Sequence, residues 1–73
     1  MAKKGGGTVY RVTEVIGTSS NSWEDAARNA VETASRSLRD LRIAEVTKTD
    51  LVIENGRVTA FRARVSLSFK YDA

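Results

Sequence analysis

The sequence predicts an α+β fold, a single βαββ unit in which a three-stranded antiparallel sheet partly wraps one helix. Three observations predict it: a β-branched run near the start, a capped alanine-rich stretch of helical period, and Asn55-Gly56 set between two long β-rich runs. With 73 residues there is room for one domain, read as residues 8–73 behind a flexible, basic, glycine-rich tail over residues 1–7. So short a chain exposes much of its surface and is marginal alone. It has no cysteine and no histidine, so neither a disulfide nor an ordinary zinc site can staple it. The stabilising device is then unusually good packing or self-association, and self-association is the favoured reading.

The first strand is read from Thr8 to Ile16, where β-branched residues dominate. Tyr10, Val12 and Ile16 share one face, and Val9, Arg11, Thr13 and Val15 the other. Gly17 to Asn21 is a turn cluster that ends the strand. Ser22 opens a helix expected to run to Leu41. Ser22 and Asp25 form a capping-box pattern, and Trp23, Ala26, Ala27, Ala30, Val31, Ala34, Leu38 and Leu41 trace an apolar stripe of helical period. Glu24 and Asp25 suit the positive end of the helix dipole, and Arg36 and Arg39 the negative end.

The second strand is expected over Arg42 to Ile53 and the third over Val58 to Tyr71. Asn-Gly tolerates the positive φ angles of a type I′ turn, the connection that best matches strand twist. In the third strand Phe61, Ala63, Val65, Leu67 and Phe69 alternate with Arg62, Arg64, Ser66, Ser68 and Lys70. A two-residue turn sets the register. It places Val46 opposite Val65 and Ala44 opposite Leu67 on the apolar face. On the other face it places Thr49 opposite Arg62, Thr47 opposite Arg64, Glu45 opposite Ser66 and Ile43 opposite Ser68, with Glu45 diagonal to Arg64. One helix covers one face of such a sheet. The other face and both edges are left to water or to another copy.

The formal charge of +3 comes from 12 basic and 9 acidic residues, and Lys3 and Lys4 belong to the tail. The rest is nearly balanced, so the pI near 9.7 is a weak argument for nucleic acid. Tyr10, Phe61 and Phe69 read as buried, which leaves no aromatic-basic surface. The apolar stretches are too short to span a bilayer, and the basic start lacks the apolar run of a signal peptide. Cytoplasm is the default location. Catalysis has little support: there is no histidine or cysteine, no glycine-rich loop opening a helix, and no paired acid and base.

The order and spacing of several segments resemble the dodecin family. They are Val15-Ile16-Gly17-Thr18-Ser19, Ser22-Trp23-Glu24-Asp25-Ala26, Ala34-Ser35-Arg36-Ser37-Leu38, Ala44-Glu45-Val46 and Val65-Ser66-Leu67-Ser68-Phe69. The resemblance implies a hollow homododecamer that binds or stores flavin, FMN or riboflavin, and is not an enzyme. It further implies that two flavin rings stack between tryptophans set early in the second strand, and that a glutamine on the third strand binds the ring edge. Ile43 stands at the tryptophan position and Arg62 at the glutamine position. Isoleucine has no π face to stack the ring, and arginine donates where an amide both donates and accepts, so flavin affinity is expected to be weakened.

The candidate ligand residues are Ile43, Glu45, Thr47, Arg62, Arg64 and Lys70, the last at a basic position that contacts phosphate-bearing ligands in some relatives. A solvated or intersubunit charge network is the competing reading of Arg62 and Arg64, and a simple charged strand end that of Lys70. Trp23, in the first helical turn, reads as core packing. Glu14, Glu45, Asp50 and Glu54 carry oxygens suited to a hard cation such as Ca2+ but lack the spacing of a metal loop, so no metal residues are assigned. Two further readings stay open: a dodecin-like shell that takes a cation or another small anion in place of flavin, and a basic oligomer that binds nucleic acid.

Overall fold

The computed structural model describes residues 7–70. Residues 1–6 of the expected tail over 1–7, and the expected strand end at Tyr71, lie outside them. Within them the order is β1 (Tyr10–Ser19), α1 (Trp23–Ala34), β2 (Leu41–Glu54) and β3 (Arg57–Lys70). The three strands form one antiparallel sheet in the order β1-β3-β2. The α+β, βαββ expectation holds.

β1 runs through Gly17 to Ser19 instead of turning there. Gly17 serves as a gap in the strand rather than a bend. A Cβ at this position would collide with the Ala26 carbonyl oxygen and come within 2.8 Å of the Ala30 Cβ. Its missing side chain lets α1 sit directly on the strand. Asn29 Nδ2 then donates to the Thr18 carbonyl at 3.0 Å, clamping the pair from the side.

Ser22 caps α1 as expected, its Oγ accepting from the Asp25 amide at 3.0 Å. The return arm of the capping box is used differently. The Asp25 carboxylate accepts from the Ser19 hydroxyl at 2.7 Å and ties the helix start to the end of β1. The helix stops at Ala34, well short of the expected Leu41. Ser35 Oγ donates to the Glu32 carbonyl and Ser37 Oγ to that of Ala34, and the backbone tightens into turns. Serine competes with helix hydrogen bonding in this way. Asp40 then takes a φ of 59° and throws the chain into β2, with its carbonyl accepting from the Lys70 amide. Arg36 and Arg39 therefore lie beyond the last helical turn and do not offset the dipole. Leu38 and Leu41 do pack against the core, but from a turn and a strand start.

The hairpin turns at Asn55 (φ 52°) and Gly56 (φ 74°), as Asn-Gly predicts. Its register matches expectation at both ends, with Glu54 opposite Arg57, Val46 opposite Val65 and Ala44 opposite Leu67. Between them it is displaced by one residue. Thr59 is skipped on β3 and Thr47 on β2, so these two irregularities cancel, while a third at Arg42 sets Leu41 opposite Phe69.

The core consists of Ala26, Ala30, Ala63, Val65 and Leu67, and of these only Val65 and Leu67 are large. Helix α1 packs on β1 and β3 and barely reaches β2. A 12-residue helix is about 18 Å long, whereas a 14-residue strand spans about 46 Å. The hairpin therefore projects past its cover, and the molecule measures 59 × 21 × 15 Å. Val46, Leu51, Ile53 and Val58 are left exposed along it.

Candidate functional site

The face of the sheet turned away from α1 carries most of the candidate residues. Residues directly opposite in an antiparallel pair project to the same side, so the register defines cross-strand rungs. From the hairpin side inward, they are Thr18-Arg62-Asp50, Ile16-Arg64-Lys48, Glu14-Ser66-Glu45 and Val12-Ser68-Ile43. Tyr10 and Lys70 close the series. A polar rung, a basic rung, an acidic rung and an apolar rung follow one another.

Two expected pairings are corrected here. The skipped Thr59 moves Asp50, not Thr49, opposite Arg62, and Lys48, not Thr47, opposite Arg64, and the skipped Thr47 then restores the expected register. Thr49 faces the helix side beside Ala63. Thr47 occupies the bulge, and its Oγ1 donates to the Arg64 carbonyl at 3.3 Å. Glu45 faces Ser66 as expected, but among the described residues it forms no ion pair with Arg64.

The ion pair on this face joins Arg62 and Asp50. Arg62 Nε and Nη2 donate to the two carboxylate oxygens of Asp50, each at 2.7 Å, in a two-pronged fork. The hydrogen bond from Arg62 holds the Asp50 carboxyl below its ordinary range, with Arg64 and Lys48 contributing smaller attractions. The same bond raises Arg62. Asp50 is also fixed through its backbone, where its carbonyl accepts from the Trp23 indole at 3.1 Å. Trp23 meets Phe61 edge-on, with ring centroids 5.1 Å apart, and is 41% exposed. It packs at the margin of the core rather than within it. Tyr10, expected to be buried, is 45% exposed, because α1 covers only the opposite face.

Ile43 and Arg62 share this face, as the sequence register implies. They are not close together. Ser68, opposite Ile43, stands six positions along β3 from Arg62, a separation of about 20 Å along an extended strand. One chain therefore does not bring them into one pocket, and any pocket containing both draws them from different copies. Ile43 is 56% exposed, an apolar side chain available to such a neighbour. It offers no π surface for a flavin ring.

The cation reading meets the same limit. Among the described residues, no group of three or more carboxylates lies close enough to hold a metal ion. Glu14 and Glu45 flank Ser66 on a single rung, but they are two strand spacings, about 10 Å, apart. Ca2+ takes oxygens at about 2.3–2.6 Å, so one chain supplies part of a coordination shell only. Asp50, a candidate oxygen ligand in sequence, has both oxygens engaged by Arg62.

An open groove of about 470 Å³ lies between α1 and the free edge of β1, its lining including Val15, Gly17, Asn29, Thr33 and Ser37. It contains no charged side chain. Among the described residues no helix is long and apolar enough to cross a membrane.

These features define a class: small βαββ proteins in which one short helix covers one side of an open sheet and the other side is left bare. The Dodecin family model matches residues 9–72. The calcium dodecin of Mycobacterium tuberculosis is 40% identical over 63 residues, which cover 86% of this chain and 89% of that protein. The solved dodecin from Streptomyces coelicolor superposes with a TM-score of 0.82 at 42% identity, covering 90% of this chain and 94% of the other. The crystal structure of the calcium-chelating calcium dodecin from M. tuberculosis, described as having a novel calcium-binding site, gives a TM-score of 0.77 at 39% identity, with coverage of 89% and 93%. The chain belongs to the dodecin family.

Proposed function

We propose that this chain is a self-assembling, non-enzymatic small-ligand-binding protein, a homododecamer whose ligand sites form between copies, and that it takes Ca2+ in preference to flavin. The separation of Ile43 from Arg62, together with the incomplete carboxylate set on each chain, carries the intersubunit reading. The preference for Ca2+ draws on the likeness to a calcium dodecin and on the Glu14-Ser66-Glu45 rung, which offers oxygens that neighbouring copies can complete. A cysteine-free chain suits the reducing cytoplasm.

Flavin remains the second reading. The exposed Ile43 gives a ring an apolar surface, and Arg62, Arg64 and Lys70 offer donors to its carbonyls or to the phosphate of FMN. Their charge also leaves room for nucleic acid, which binding assays at two salt concentrations would expose through a steep salt dependence.

Native mass spectrometry of calcium-free protein titrated with Ca2+ tests the proposal. The expected result is a twelve-copy species that gains calcium in integral steps, with no calcium on dissociated monomers. An assembly that takes up no calcium but gains the mass of FMN and quenches its fluorescence would favour the flavin reading.

A further inference from the structure

The fork between Asp50 and Arg62 exists because the skipped Thr59, next to the hairpin turn, slides Asp50 onto the same rung as Arg62, a displacement that ends at the skipped Thr47. Without that carboxylate, Arg62, Arg64 and Lys48 would form an uninterrupted cationic patch on an open sheet face. A guanidinium fork matches a phosphate as well as it matches a carboxylate. Asp50 occupies Nε and Nη2, one of the two edges through which the guanidinium could grip such an oxyanion. It also cancels one of the three positive charges. We infer that Asp50 sets the ligand preference of the helix-remote face, holding Arg62 in an internal pair so that phosphate-bearing ligands are disfavoured there.

The Asp50 carboxyl is held charged by its neighbours, which keeps the pair closed at neutral pH. The backbone at this point is anchored separately by the Trp23 indole, so changing the Asp50 side chain leaves the strand in place. The inference rests on this face being the ligand-bearing one, but it does not depend on calcium.

FMN and riboflavin form a matched pair of probes, because they share one ring system and differ in a phosphate. Full-length Asp50→Asn and wild type are titrated with each, following flavin fluorescence, with the assembly state checked by light scattering. Releasing one charge-assisted fork is expected to tighten FMN roughly tenfold, or to make it measurable where wild type shows none, while riboflavin changes little. Adding Arg62→Gln to Asp50→Asn is expected to abolish the gain. Asp50→Ser, which removes the carboxylate and shortens the side chain, should behave like Asp50→Asn. FMN affinity unchanged in both single variants, FMN and riboflavin shifting together, or a gain that survives Arg62→Gln would overturn the inference. Calcium uptake in the same samples reports separately on the proposed function.

Discussion

Gly17 and Asp50 show how much of this molecule depends on single positions. At Gly17 the absence of a side chain is what joins α1 to β1. Gly17→Ala forces a methyl group against the Ala26 carbonyl and the Ala30 Cβ, an overpacking expected to cost about 2–3 kcal/mol in urea-induced unfolding. At Asp50 the expectation concerns charge. Its carboxyl is depressed by Arg62, so the pair contributes above the ordinary carboxylate range and is lost as pH falls through the lowered value. Nuclear magnetic resonance titration should show the Asp50 carboxyl below 3.8 in wild type and closer to 3.8 in Arg62→Gln. An unchanged titration would mean the fork does not persist in solution. Sequence placed Arg62, Arg64, Glu45 and Ile43 on their proper face, since period-two alternation leaves little freedom. It missed Asp50 and Lys48 as their neighbours, because the irregularities at Thr59 and Thr47 carry no glycine or proline to mark them.

The elements are legible where a local signal is strong. Asn55-Gly56 marked the hairpin, and Ser22 marked the helix start. Ser22→Ala removes the acceptor of the Asp25 amide and should cost about 1 kcal/mol by chemical denaturation. Gly56→Val puts a β-branched residue at a φ of 74° and should destabilise the turn by about 1–2 kcal/mol or shift the hairpin register. The helix end was misread because Leu38 and Leu41 continue the apolar period without continuing the helix. Their burial is real, and the elements that deliver them are a turn and β2. Gly17-Thr18-Ser19 carried turn composition but lies in β1, where close approach to α1 outweighs local preference.

At the scale of the whole molecule, five buried apolar residues among the described residues support a body 59 Å long over that span. Val12, Ile16 and Ile43 are exposed on one face of the sheet, and Val46 and Leu51 on the other beyond the reach of α1. Such surface is what an obligate assembly buries. The candidate sites have the same incompleteness: Ile43 and Arg62 stand about 20 Å apart on one copy, and Glu14 and Glu45 are too widely spaced to close on one ion. Sequence pointed to self-association through chain length and a half-covered sheet, but it could not show this separation, which depends on the rungs between Ile43 and Arg62. The most direct test of ligand sites built between copies is native mass spectrometry of the full chain at micromolar concentration with Ca2+ present. The account predicts a twelve-copy species carrying calcium that is lost when the assembly is dissociated. A calcium-bearing monomer or a stable monomer or dimer at that concentration would contradict it.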